Sequence, residues 1–261
     1  FKRALELDPN FAVAHARLGT VYSNLGETKP AIEHRTRAFE LRERVSERER
    51  FYILGHYYSG VTREIDKALE TYDLWKQTYP RDPVPHINSG TLYSQRGETE
   101  RAIQAYSQAI EIDPARRIAY SNLFAKYIEL DRLDEARALL ERQIKVLGET
   151  PDAQFKLYEI ASRQGDRATA DRYAAIIEKG PLTANLLALR SAETAAAGRM
   201  RESRQLTERY AAMLRQQGLT ERALTATSQV VVASAFVGQN SAARELGERL
   251  AATPAADRGV D

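Results

Sequence analysis

The sequence predicts an all-α chain built as a solenoid, with helix-turn-helix pairs stacked on one another. Three observations carry that expectation. The first is periodicity. Ala31, Ala68, Ala102, Ala136, Ala170, Ser203 and Ala243 lie 37, 34, 34, 34, 33 and 40 residues apart, a fixed spacing that marks repeat architectures. The second is amphipathicity. Each unit holds two stretches with apolar residues at i, i+3, i+4 and i+7, such as Leu18-Val21-Tyr22-Leu25 and Ala102-Ile103-Tyr106-Ala109-Ile110. That spacing puts them on one face of a helix. The third is punctuation. Gly26, Gly97 and Gly165 end first helices, where a left-handed C-terminal cap is needed, and Asp131 stands midway between the last two. One such pair cannot bury its apolar face alone, so neighbours must stack and curve around a concave groove lined by first helices.

The elements follow in order. Residues 1–9, "FKRALELDP", read as the second half of a unit whose front half is missing, so the chain is expected to be a piece of a longer protein. Seven pairs are expected after it, at 11–43, 46–80, 82–114, 116–148, 151–179, 183–216 and 221–251. Their first helices lie near 12–25, 47–59, 83–96, 117–130, 151–164, 184–197 and 222–237. Asp113-Pro114 and Thr150-Pro151 mark helix starts, where a missing N–H costs nothing. Small residues at Gly19, Gly55, Gly90 and Ala102 let paired helices approach, and tyrosines fill the wedge. Two places break the period. One extra residue sits in the turn around Val61-Thr62-Arg63. Forty residues separate Gly198 from Gly238, which calls for a longer second helix or loop in the sixth pair. No linker divides the chain. From Leu182 on, the only aromatic residues are Tyr210 and Phe236, so this third should pack more loosely. Residues 252–261 are expected to fray.

Composition narrows the function classes. Among 261 residues, 38 are basic and 36 acidic, a net charge of +2. Nucleic-acid binders carry a clear basic excess, so no nucleic acid is expected as a partner. There is no cysteine, which excludes disulfides, thiolate metal sites and a cysteine nucleophile. No apolar run is long enough for direct membrane insertion. The four histidines, His15, His34, His56 and His86, lack metal-ligand spacing, and His15 and His86 are expected to pack between helices. No phosphate-binding glycine loop and no nucleophile elbow occur. The fragment is expected to be non-catalytic and to need no cofactor. The alternating charges of Arg42 to Arg50 read as a solvated helix end.

The unit from Asp82 to Pro114 carries Gly90, Tyr93, Ala102, Tyr106, Ala109 and Pro114. The first unit carries Leu18, Gly19, Tyr22, Ala31 and Ala38, and the fourth Tyr120, Leu123, Tyr127, Ala136 and Leu140. At a 34-residue period these residues resemble the tetratricopeptide repeat, over about Phe1 to Leu250. The resemblance implies a right-handed superhelix that acts as a protein–protein interaction scaffold, binding a peptide or a partner helix in its groove. Family geometry would place Val84, Ile87, Asn88, Thr91, Ser94 and Gln95 on the groove face of the third pair. Asn88 and Asn122 are equivalent, 34 residues apart. An Asn amide can pair with a peptide backbone without reading its side chains. The equivalent positions elsewhere are Arg17, Ile53, Lys156, Leu189 and Gln229, so the ladder has two rungs. The candidate peptide-binding residues are therefore Asn88, Asn122, Arg17, Tyr52, His56, Thr91, Phe155 and Lys156. The full set of a two-carboxylate clamp is absent. In the sixth pair Ala188, Leu189, Ala192 and Ala195 form an apolar strip suited to a helix.

A second resemblance covers about 50 residues, through Glu47, Arg48, Phe51, Tyr52, Tyr57, Tyr58, Trp75, Tyr79, Pro80 and Pro85. It is to the repeat regions behind bacterial serine/threonine protein kinases, and it implies the alternative of a regulatory or sensor region in a larger enzyme. The compartment would then be the bacterial cytoplasm, or an extracytoplasmic one if the parent is a membrane kinase. Substrate-selecting repeats of a glycosyltransferase are a third option, disfavoured by the short ladder. Homo-oligomers could form through an open end at Phe1, Ala4, Leu5 and Leu7.

Overall fold

The structure is a computed structural model that describes residues 1–251, and among them every regular element is helical. A short helix, α1 (Lys2–Leu7), precedes seven pairs: α2 (Ala12–Leu25) with α3 (Thr28–Glu40), α4 (Glu47–Tyr57) with α5 (Ile65–Thr78), α6 (Val84–Gln95) with α7 (Thr99–Ile112), α8 (Arg117–Glu129) with α9 (Leu133–Leu147), α10 (Pro151–Arg163) with α11 (Arg167–Ile177), α12 (Thr183–Ala196) with α13 (Met200–Gln216), and α14 (Thr220–Phe236) with α15 (Asn240–Ala251). The expected frayed tail at 252–261 lies outside the described residues.

The helix ends follow from local chemistry. Ser46 caps α4 in a capping box with Glu49, which satisfies orphan N–H groups reciprocally. Thr150 caps α10 ahead of Pro151. At the end of α6, the Glu98 N–H donates to Tyr93 O at 2.9 Å and the Gly97 N–H to Ser94 O at 3.1 Å. This double closure needs a left-handed residue, and Gly97 supplies it with φ +74°. Asp131 does the same work after α8 at φ 55° without a glycine's freedom. The extra residue of the second pair becomes a π-helical turn, Tyr58–Thr62, closed by Arg63 at φ 59°. In the sixth and seventh pairs the added length lies in the helices themselves, since α13 and α14 have 17 residues each.

Within pairs the packing is large against small. A Cβ on Gly55 would lie 2.2 Å from the Tyr72 ring, and one on Gly90 would lie 2.7 Å from Tyr106. Both are closer than real contacts, so these glycines are the holes into which the tyrosines fit. In the fifth pair the sizes are exchanged. Tyr158 takes the place of the glycine and Ala174 that of the tyrosine, and both are buried. In the sixth pair both partners are small and polar, with Ser191 Oγ 2.6 Å from Thr207 Oγ1.

The described helices gather into two compact units, although no linker is visible in the sequence. The first comprises Phe1–Tyr22 and Pro30–Asp166; the second comprises Ser23–Lys29 and the chain from Arg167 on. The core of the first unit is aromatic, with Phe51, Tyr52, Tyr72, Trp75, Tyr93, Tyr106, Tyr120 and Phe124. In the second, Leu187, Leu206, Tyr210, Ala211, Leu214, Leu219 and Ala223 cluster. At the open N-terminal end Phe1 and Leu7 are 60% and 76% exposed.

Candidate functional site: a face along the first helices

All eight candidate residues fall within the first unit, on α2, α4, α6, α8 and α10. Arg17 is exposed on α2, and its guanidinium lies 4.3 Å from the centre of the Tyr52 ring, a cation–π contact. Tyr52 is buried, with its hydroxyl 2.6 Å from Thr20 Oγ1. One helical turn on, the His56 ring sits 4.1 Å from that of Tyr52. His56 Nδ1 lies 2.9 Å from the Tyr52 carbonyl. That oxygen can only accept, so Nδ1 carries the proton and Nε2 is left as an acceptor. Burial, and then the charge of Arg35, hold the His56 imidazole down to a pKa of about 4. Arg17 and Tyr52 share a small cleft with Val13, Arg48, Glu49 and Val84.

The two asparagines occupy matching places. Asn88 on α6 is partly buried, and the Tyr72 hydroxyl lies against its amide without closing a hydrogen bond to Nδ2. Asn122 on α8 meets the Tyr106 hydroxyl in the same way, and that hydroxyl donates to Thr91 Oγ1 at 3.3 Å. Burial pushes the Tyr72 and Tyr106 hydroxyls up, so both remain protonated donors near neutral pH. Each tyrosine from a second helix therefore braces an amide on the next first helix. Thr91 Oγ1 also donates to Ile87 O at 3.1 Å. Phe155 is partly exposed and tilted against Tyr158.

Lys156 does not offer its charge to a ligand, contrary to the expectation from its position. The side chain is 4% exposed. Its ammonium donates to Asp152 Oδ2 and Gln143 Oε1, each at 2.7 Å, and to Ser121 Oγ at 3.2 Å. An ammonium has three donors, and all three are used. Burial lowers the Lys156 pKa, partly offset by Asp152, while the Lys156 hydrogen bond helps hold the Asp152 carboxyl below its usual range against burial. The physical reason is that Gln143 on α9 is buried and supplies an acceptor, which the first-helix pattern alone does not show.

Other predicted residues fall into place or acquire partners. His15 is packed between α2 and α3 as expected, but with a partner the sequence hides: its Nδ1 lies 2.9 Å from His34 Nδ1. His86 is partly buried. In the second unit Ala188, Ala192 and Ala195 line a trough with Ser191, Tyr210 and Val230, while Leu189 is not among its lining residues. Sequence reasoning missed Arg35 on α3. The signal was present: Arg35 falls 16 residues after Gly19, as Tyr106 falls 16 after Gly90. Among the described residues there is no cluster of three metal-ligating side chains, and no helix is long and apolar enough to cross a membrane.

Comparison with known proteins agrees with this geometry. Family models described as tetratricopeptide repeat match residues 93–158 and 1–33. A curated relative, the yeast (Saccharomyces cerevisiae) "Essential for maintenance of the cell wall protein 1", is 29% identical over 104 residues. That match covers 39% of this chain and only 10% of the yeast protein. Among solved structures, a tetratricopeptide repeat protein from Parabacteroides merdae superposes with a TM-score of 0.53 at 16% identity, covering 92% of this chain and 98% of that one. PilF of Pseudomonas aeruginosa gives 0.50 at 19% identity, covering 79% of this chain and 91% of that one. IFIT1, solved with Gppp-AAAA, gives 0.54 at 17% identity, covering 95% of this chain and 56% of that one. At these identities the likeness is one of fold. With the 34-residue period, the paired helices and the glycine–tyrosine wedges, the matches make this chain a tetratricopeptide-repeat protein, an all-α solenoid.

Proposed function

We propose that the chain is a protein–protein interaction scaffold that holds an extended peptide along the first helices of its first unit. The observation that supports this most is the braced pair of amides. Asn88 and Asn122 lie one repeat apart, each partly exposed and each backed by a tyrosine hydroxyl from the preceding second helix. An amide that is already oriented loses little freedom when it pairs with a peptide backbone. Tyr52, Arg17, His56, Thr91 and Phe155 continue the same face on either side and would select side chains. Lys156 acts instead as an internal tie between α8, α9 and α10. In this reading no nucleic acid is a partner, and the chain itself is not an enzyme.

The test is a titration. A displayed library of random dodecapeptides is selected on the protein, and the best binder is measured by calorimetry. Asn88→Ala with Asn122→Ala should weaken it by about tenfold or more, the cost of two backbone hydrogen bonds, with the far-ultraviolet circular dichroism unchanged. Equal affinity in the double variant rejects the ladder. The second reading, a regulatory region of a serine/threonine kinase, rests on the aromatic and basic pattern of Glu47 to Pro85. Sequencing the parent gene upstream of the codon for Phe1 tests it, because a kinase would show its glycine-rich loop and catalytic aspartate there.

A further inference from the structure

Arg35 is the anomaly of the first unit. It stands on α3 where the next two pairs place Tyr72 and Tyr106, and its stem fills the same hole: a Cβ on Gly19 would lie 2.7 Å from Arg35 Cγ. The guanidinium then runs on to the π-helical turn. A Cβ on Gly60 would lie 1.9 Å from Arg35 Nη1 and 2.8 Å from Cζ, so the missing side chain at Gly60 is what gives the head room. Around it stand His56 and Tyr52 from α4, Tyr72 from α5 and Arg17 from α2. The charged groups that act on His56 are Arg35 and Arg17, both cations. Arg35 Nε is buried with no hydrogen-bond partner. Neither an ion pair nor a hydrogen bond engages this guanidinium among the described residues. Buried guanidinium groups are ordinarily paired, because an arginine stays charged near neutral pH and cannot escape the cost by losing its proton.

We propose that Arg35, with Arg17 and His56 beside it, forms a carboxylate-binding site that takes an acidic side chain or the terminal carboxylate of the peptide held on this face. The inference rests on the groove reading above and supplies its partner chemistry. A carboxylate brings two coplanar acceptor oxygens and one negative charge. The seam lacks both. The guanidinium fork matches that geometry, and the tyrosine rings of α4 and α5 keep the seam narrow. His56, held neutral by burial and by the two arginines, would gain a proton more easily once an anion is seated.

The test uses the whole chain and sodium acetate, read by NMR at the Arg Nε–Hε and His Cε1–Hε1 signals, with sodium chloride at equal ionic strength as control. Acetate should give saturable shifts at Arg35 and His56 and raise the His56 titration midpoint by about one unit. Arg35→Tyr, which restores the aromatic of the neighbouring pairs and should fold well, should abolish both effects. Gly60→Ala, which drives the guanidinium out of its seat, should do the same while Arg35 is still present. Absent or chloride-like shifts, or shifts that persist in Arg35→Tyr, overturn the proposal. Tighter binding of inorganic phosphate than of acetate also overturns it. The dodecapeptide selection, repeated with Arg35→Tyr, separates this idea from the groove itself. Enrichment of internal Asp or Glu, or of free C-termini, that disappears in the variant supports the site and tells the two sources apart. Enrichment with no acidic preference sinks the carboxylate site and leaves the groove standing. If no peptide is enriched on the wild type while acetate still binds, the groove reading fails and the site remains.

Discussion

At the scale of the residue, His56 couples stability to acidity. Its folded pKa of about 4 lies below the ordinary histidine value of about 6.5, through burial first and then Arg35 and Arg17. The unfolded chain therefore binds a proton that the folded chain refuses, over the window between those two values. Stability is full above pH 6.5, falls as the pH drops through the window, and is wholly lost to this group below about pH 4. His34, lowered by burial and then by His15, acts in the same direction. The urea midpoint should drop between pH 7 and pH 4.5, by on the order of 2 kcal/mol for His56 alone. His56→Gln should flatten that slope, and an unchanged slope would show that the imidazole is not so depressed. None of these pairings is legible in the sequence. His15 and His34 lie 19 residues apart, and only the crossing of α2 and α3 brings them together. Lys156 is the converse case: its repeat position was legible, but its burial depends on Gln143 and Asp152.

At the scale of the element, the helices were legible almost residue by residue, because apolar spacing and terminators act locally. Gly97 and Gly165 announce the ends of α6 and α10, and Thr150-Pro151 announces the start of α10. Asp131 was legible only by its interval, since nothing in an aspartate itself demands a left-handed backbone. Its φ of 55° carries a local strain that glycine would not. Asp131→Gly should stabilise the protein by about 0.5 to 1 kcal/mol, seen as a higher melting temperature with an unchanged helical spectrum. A lower melting temperature would mean that the carboxylate contributes more than the backbone loses. The π-helical turn was visible only as a surplus residue, because the choice between a longer loop and a wider helical turn is made by what packs on it.

At the scale of the whole molecule, the repeat period gave the architecture but not its partition. The units differ in what fills them. Tyrosine, phenylalanine and tryptophan fill the first, whereas aliphatic residues around Tyr210 fill the second, as the lean aromatic content after Leu182 suggests. Aromatic side chains bury the most area per residue. Amide hydrogen exchange should therefore be slower in α5 to α8 than in α12 to α14, by about tenfold or more at the most protected positions. Equal protection would mean that the Ser191–Thr207 polar seam makes up for the missing rings.

The π-helical turn has a consequence for how such a chain can change. One residue inserted into a continuous helix turns everything after it by about 100°. Here Tyr58–Thr62 and Arg63 absorb that rotation, and α5 resumes with Ala68, Leu69, Tyr72 and Trp75 all inward. The insertion behaves like a reading-frame error corrected within a few letters. Asn88 and Asn122 keep their phase, and each downstream unit remains interchangeable with its neighbours, free to be duplicated or deleted as a block.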